Sequence, residues 1–122
     1  MKQTRIVPKR GDVYLVNFNP SIGSEIKKTR PAVILQNNIS NTYSPTTIVA
    51  AITSHTKEKK IYPTEVYIPA HEARLEKDSR ILLNQVQTID TKRLIKKLGT
   101  VETQTLEKID NALTISLGLI DI

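Results

Sequence analysis

Near the middle of the chain, the residues Ile48-Val49-Ala50-Ala51-Ile52-Thr53 form an unbroken apolar run that ends in a threonine. A run of this length bounded by polar residues predicts a strand that is buried on both faces of a sheet. Residues 32–35, directly after Pro31, have the same character. Proline suits the first position of a strand because it has no backbone N–H to donate. These two strands are therefore expected to form the centre of the core.

Short strands separated by turn residues are predicted for most of the rest of the first 90 residues. Stretches rich in β-forming residues occur at 13–18, 65–68 and 81–89. Residues 19–24 are breakers, and residues 37–45 are expected to form a polar connection between the two buried strands.

The spacing of the apolar residues changes after residue 90. Asp90 or Thr91 can cap a short helix over residues 92–96, and residues 98–101 can form one last strand. From Thr103 onward, apolar residues recur at steps of three and four, which predicts one face of an amphipathic helix. These residues are Leu106, Ile109, Leu113, Leu117 and Ile120. This face either closes the core, which is the commoner role, or offers a surface to a partner.

Many short strands with one terminal helix predict a mainly β fold with α-helical decoration, namely a small SH3-like β-barrel with a C-terminal helix. The 122 residues provide one hydrophobic core, so a single domain over residues 1–122 is expected.

The charge balance and the composition favour some classes of function and exclude others. A formal net charge of +6 fits a polyanionic partner, since Lys and Arg gain affinity by releasing counterions from phosphates. A basic surface that serves only solubility is the alternative. The absence of cysteine excludes disulfides, thiol chemistry and thiolate metal sites. A polar, basic start and the lack of a run of about 20 apolar residues predict a cytoplasmic protein.

Five strings of residues, in this order and spacing, resemble the MazF/PemK family of toxins, in particular its Gram-positive branch. They are Arg10-Gly11-Asp12-Val13-Tyr14; Pro20 through Ser24-Glu25; Arg30-Pro31-Ala32-Val33-Ile34; Ser44-Pro45-Thr46 with Val49-Ala50-Ala51-Ile52-Thr53; and Leu82-Leu83-Asn84-Gln85-Val86-Gln87-Thr88-Ile89-Asp90. Each string alone is a weak signal. The set spans the chain from about Lys9 to the C-terminus, which makes coincidence a poor explanation.

The resemblance implies a CcdB/MazF-type fold, a homodimer, and no metal or other cofactor. It implies a sequence-specific endoribonuclease that cuts single-stranded RNA, including mRNA, without a metal ion. It further implies the toxin of a type II toxin-antitoxin system, silenced by a cognate antitoxin similar to MazE.

Two residues are expected to carry the chemistry. Cleavage without a metal can use the neighbouring 2′-hydroxyl as the nucleophile, and the developing charge on the phosphate must then be stabilised by fixed donors. The family pattern places an arginine and a threonine there, and these match Arg30 and Thr53. Without the pattern, a surface Arg in an ion pair and a Thr present for its β-propensity would be the ordinary interpretations.

The loop over residues 22–29 is expected to cover the RNA groove. Glu25 is the candidate proton acceptor, because an arginine is always protonated and is a poor base. Ser24, Lys27 and Lys28 are predicted to bind RNA. His55 would share a face with Thr53 if the strand continued, but the family pattern does not require it.

Two more residues are predicted to contact bases. Tyr62 follows a basic segment and can stack on a base, or it can simply lie at the barrel rim. Gln85 matches the family's base-reading position and offers both a donor and an acceptor. Asn84 stands where relatives often carry an acid, so the target sequence stays open.

Two other classes of function remain as alternatives. The first is a non-enzymatic toxin of the same fold that poisons DNA gyrase, as the CcdB group does through a C-terminal helix ending in Trp, and this chain has no Trp. The second is a small binding module without catalysis, which only the charge favours. Discrete cuts in RNA in the presence of EDTA would separate the nuclease from both.

Overall fold

The computed structural model describes residues 5–20, 22–25 and 28–121, and six strands in it form one antiparallel sheet. The strands are β1 (Asp12–Asn17), β2 (Thr29–Ile34), β3 (Thr46–Ser54), β4 (Glu65–Ile68), β5 (Ser79–Asp90) and β6 (Leu94–Thr100). Their spatial order is β4-β5-β3-β2-β1-β6, which places β2 and β3 in the interior of the sheet. The predicted mainly β fold is confirmed.

The sheet does not close into a barrel, in contrast to the simplest form of the prediction. In the described residues the edge strands β4 and β6 are not hydrogen-bonded to each other. Two helical elements pack against the sheet: the 3-10 helix Ala70–Ala73 contacts β6, and the C-terminal helix contacts β4 and β5.

Strand β3 is buried on both faces, as its continuous apolar run predicts. Ala50 and Ile52 belong to a core cluster that includes Ile109 of the C-terminal helix, and we call this side of the sheet the helix face. Val49 and Ala51 belong to a second cluster on the opposite side, here called the far face. All four β3 side chains are at most 2% exposed.

A short helix interrupts the connection between β2 and β3, for which the sequence predicts only a polar segment. Helix α1 (Asn38–Tyr43) begins after Asn37, whose side chain accepts a hydrogen bond from the backbone N–H of Ser40. Asparagine is a strong N-cap. This capping starts a helix even though the segment has no apolar periodicity.

The helix expected over residues 92–96 is wrong in its extent. Asp90 does cap a helical turn, but the turn is a 3-10 helix that covers only Thr91–Arg93. Leu94 is already in β6, where it is paired with Val16 and packed in the far-face cluster. Sheet pairing therefore prevails over helix continuation at this point.

The C-terminal helix α2 (Thr103–Ser116) is shorter than the apolar stripe suggested. Ile109 is fully buried, and Leu106 and Leu113 pack against the helix-face cluster, so the predicted core role holds for these three. Gly118, with a φ of +71°, ends the helix in a left-handed conformation. Leu117 and Ile120 consequently lie beyond the helix and are 62% and 46% exposed. None of the helices that the structure describes is long and apolar enough to cross a membrane.

Gly99 of β6 is required for the close packing of the 3-10 helix Ala70–Ala73. A Cβ atom at this position would lie 3.1 Å from the Cα and 3.2 Å from the carbonyl oxygen of Ala73. Because these are backbone atoms, they cannot rotate away. We expect Gly99→Ala to lower the free energy of unfolding by about 1–3 kcal/mol, measured by urea denaturation. Ile95→Ala, at an exposed site of the same strand, is the control, and equal stability of the two variants would contradict the prediction.

Candidate active site

Arg30 and Thr53 are brought together by the pairing of β2 with β3. Ala32 is paired with Ala51, and continuing this register places residue 30 opposite residue 53 where the two strands meet the edge of the core. Nη1 of Arg30 donates a hydrogen bond to Oγ1 of Thr53 at 3.2 Å. The two predicted residues are thus in direct contact although 23 positions separate them.

Strand alternation fixes the face on which this pair lies. Ala32 and Ala51 belong to the far-face cluster, and side chains two residues apart in a strand share a face. Arg30 is also paired with Val16 of β1, which belongs to the same cluster. Both Arg30 and Thr53 are half-buried. The pair therefore lies at the end of an apolar surface, where its polar groups are only partly solvated.

Two further polar residues extend this pair into a row across the sheet. Arg80 of β5 is paired with Thr53, and Tyr67 of β4 is paired with Arg80. Because Ile81 and Val66 are packed on the helix face, Arg80 and Tyr67 point to the far face with Thr53. Neither residue stands out in the sequence, since only the register of three strands places them beside Thr53.

Arg80 is held by a buried ion pair. Its Nη1 donates to Oε2 of Glu65 at 3.0 Å, and the two side chains are only 16% and 7% exposed. Its Nε is buried without a hydrogen-bond acceptor among the described residues. Glu65 is thus the group that compensates the charge of Arg80 in this low-dielectric position.

His55 and Tyr67 lie next to each other at the β4 end of the row. Their rings meet edge to face with centroids 5.7 Å apart. The pKa of Tyr67 is raised, first by loss of solvation and then by the charge of Asp78 and the hydrogen bond to it. The Tyr67 phenol therefore keeps its proton, and its hydroxyl is already engaged by Asp78.

A cleft of about 550 Å³ opens at the ends of these strands, and we call it the basic cleft. Arg30, Pro31, Ile52 and Thr53 all line it at the strand ends, where Pro31 and Ile52 face the helix face and the side chains of Arg30 and Thr53 face the far face. Its cationic lining residues are Lys28, Arg74, Lys77 and Lys96, and Glu76 is its only acidic one among those that the structure describes. Hydroxyl groups come from Thr29, Thr53, Ser54 and Ser79. Such a lining suits an anion with several oxygen atoms.

The loop residues predicted for RNA binding are only partly at this cleft. Lys28 lines it, whereas Ser24 and Glu25 are exposed and are not among its lining residues. The Glu25 carboxylate accepts a hydrogen bond from the Ile22 N–H at 2.5 Å, and the Glu25 N–H donates to the Ile22 carbonyl at 3.1 Å. Glu25 thus closes a local turn. Lys27 lies outside the described residues.

Tyr62 and Gln85 are not brought to the Arg30 and Thr53 pair. Tyr62 is 55% exposed, with Nζ of Lys60 5.8 Å from its ring centroid. Tyr62 lies just before Glu65, the first residue of β4, whereas Ser79 of the cleft is paired with Ile68 at the other end of this strand. Gln85 is half-buried in β5, at an irregularity in the pairing with β3. Within the described ranges, no three His, Asp or Glu side chains form a group that could hold a metal ion.

Comparisons with known proteins agree with this architecture. A family model described as PemK-like, MazF-like toxin of type II toxin-antitoxin system matches residues 9–117. Endoribonuclease EndoA of Bacillus subtilis is 47% identical over 116 residues, which cover 95% of this chain and 99% of that protein.

Solved structures share the fold. MazF from Deinococcus radiodurans is 27% identical with a TM-score of 0.78, and the match covers 93% of this chain and 98% of that one. An endoribonuclease in complex with its cognate antitoxin from a mycobacterial species has a TM-score of 0.77 at 23% identity, covering 94% and 99% of the two chains. At that identity the likeness concerns the fold alone.

Proposed function

Because this chain belongs to the PemK-like, MazF-like family of toxins of type II toxin-antitoxin systems, we propose that it cuts single-stranded RNA at a site built on Arg30 and Thr53. It is an endoribonuclease, as its family and its relative at 47% identity indicate. The observation that carries the proposed site is the 3.2 Å hydrogen bond that joins the two side chains. We further propose that cleavage is sequence-specific, acts on mRNA and needs no metal ion.

The geometry supports a transesterification through the 2′-hydroxyl. The 2′-oxygen attacks the adjacent phosphorus and loses its proton, and the bond from phosphorus to the 5′-oxygen breaks as that oxygen gains a proton. The products are a 2′,3′-cyclic phosphate and a 5′-hydroxyl. Fixed hydrogen-bond donors must stabilise the negative charge that develops on the non-bridging oxygens.

Arg30 and Thr53 are suited to supply such donors together. The Thr53 oxygen accepts from Arg30, so its own O–H is free to donate to a phosphate oxygen. The Arg30 guanidinium has five N–H groups, and its planar fork matches phosphate geometry. Pro31 restricts Arg30 to extended backbone, which limits the motion of the pair. The two side chains therefore present pre-oriented donors to one phosphate.

The remaining predicted residues have supporting roles in this proposal. Glu25 is the candidate acceptor for the 2′-proton, and its second carboxylate oxygen is the one not used by the Ile22 N–H. Ser24, Lys27 and Lys28 would bind RNA near the cut. Tyr62 and Gln85 would contact nucleotides farther along the strand, within one subunit or across a homodimer.

We infer that the protein acts in the cytoplasm, as a homodimer, and that a cognate antitoxin similar to MazE silences it. The net charge of +6 favours an acidic antitoxin segment, whose charges would complement those of the basic cleft. Such a segment would compete with RNA for the same surface.

The test is incubation of the purified chain with an end-labelled RNA in excess EDTA. We expect discrete cuts with 2′,3′-cyclic phosphate ends, and loss of a given cut when the nucleotide on its 5′ side is 2′-deoxy. Intact RNA combined with inhibition of DNA gyrase would support the non-enzymatic alternative. Cleavage that requires an added divalent metal ion would contradict the proposed mechanism.

A further inference from the structure

The basic cleft is lined by four cationic side chains in addition to Arg30. Lys28, Arg74, Lys77 and Lys96 line it, opposed by Glu76 alone among the described lining residues. No ion pair neutralises any of the four cations within the part of the chain that the structure describes. Like charges collected around one cavity repel each other, so a bound anion would relieve an unfavourable interaction.

The turn at Arg74 requires a left-handed backbone conformation, but it does not require an arginine side chain. It follows the 3-10 helix Ala70–Ala73 with a φ of +54°, in the left-handed region. The turn is closed by backbone groups, including the Leu75 N–H, which donates to the Ala70 carbonyl at 2.9 Å. Glycine would form the same bonds without strain. The turn therefore explains the conformation but not the arginine, and strain of this kind favours a functional role for the side chain.

The fold fixes the position of Arg74 relative to Lys96. Gly99 of β6 allows the backbone of Ala73, the residue before Arg74, to pack directly on the strand that carries Lys96. Lys77 follows in the same connection, and Lys28 directly precedes β2 on the side of Arg30. The cations thus come from three separate segments of the chain and line a single cavity that Arg30 and Thr53 also line.

We propose that Arg74, Lys77 and Lys96 form a second phosphate-binding site, which holds the backbone of the RNA strand next to the scissile phosphate. The proposal rests on the proposed function for the identity of the ligand. Arginine and lysine bind phosphate oxygens through charge-assisted hydrogen bonds, and such contacts position a strand without reading its sequence. The hydroxyl groups of Thr29 and Ser54, also in the lining, provide further donors.

The test is the salt dependence of binding by R74G/K77A/K96A. The probe is a fluorescent mixed-sequence 2′-O-methyl RNA of about 12 nucleotides, a length that one binding groove can span, and methylation blocks the 2′-oxygen as a nucleophile. At about 0.1 M salt, each lost phosphate contact should weaken binding roughly fivefold, which is about 100-fold for the triple variant. The slope of log K against log salt should become shallower by about 2.

The control is K9A/K92A/K108A, which removes the same charge from exposed lysines outside the basic cleft. This variant should keep affinity within about threefold of the unchanged chain, since screened charges far from the phosphates add little. R74G alone should keep or raise the melting temperature while weakening binding about fivefold, and R74K should retain part of the affinity.

Three results would overturn the proposal: equal loss in the two triple variants, an unchanged salt slope, or unchanged binding by R74G. The outcome is independent of catalysis, because the probe cannot be cut. If the unchanged chain cleaves RNA but the cleft variants bind normally, this site is wrong and the proposed function stands. If no RNA is cleaved, the proposed function is wrong.

Discussion

Arg30→Ala is expected to reduce the rate of RNA cleavage by about 10²–10³-fold, the effect of removing one fixed donor from a developing oxyanion. The variant loses the guanidinium that would bind the phosphate, and it also releases the Thr53 hydroxyl from its 3.2 Å partner. Thr53→Val, which keeps the shape of the side chain but removes the hydroxyl, should give a loss of the same order. Single-turnover cleavage of an end-labelled RNA measures both effects.

The double variant and a matched arginine distinguish catalysis from folding. Because the two groups are proposed to act on one phosphate, the losses in Arg30→Ala and Thr53→Val should not multiply in the double variant. Arg5→Ala is the control, since Arg5 is likewise held by protein contacts, to the carbonyls of Thr42 and Ser44, but far from the strand ends of the site. Cleavage by Arg30→Ala within about threefold of the unchanged chain would reject the assignment, given the size of the expected donor effect.

Glu65→Gln is expected to lower the free energy of unfolding by about 3 kcal/mol, the low end for breaking one partner of a buried ion pair. The substitution leaves the charge of Arg80 uncompensated in a position where its side chain is 16% exposed. Urea denaturation followed by circular dichroism measures the change. A melting temperature lower by about 10 °C should accompany it in a domain of this size.

The paired variant tests whether the uncompensated charge is the cause. Glu65→Leu with Arg80→Met removes both charges, so it should be clearly more stable than Glu65→Gln alone. If the double variant is instead the less stable of the two, the loss comes from packing around Glu65 rather than from Arg80. Arg80→Met also tests the row beside Thr53, since cleavage should fall if the neighbouring charge assists the phosphate.

The local sequence pattern predicts the structure correctly where burial alone determines it. The continuous apolar run of β3 predicts a strand buried on both faces, and Val49 to Ile52 are buried in that way. The local pattern fails to predict the structure where helix capping or strand pairing determines it. Helix α1 depends on the hydrogen bond from Ser40 to the Asn37 side chain, and Leu94 joins β6 because Val16 is there to pair with it.

The apolar runs of β2 and β3 have to be buried, so the local pattern is enough to predict that Arg30 and Thr53 lie at the ends of two core strands. Only the folded structure shows that these two strands are neighbours and what lies around the pair: Arg80 and Tyr67 beside Thr53, and Arg74 and Lys96 around the basic cleft. The reason is strand register. A shift of one residue in the pairing of β3 with β5 would turn Arg80 to the other face, and no local pattern within either strand specifies how two distant segments align.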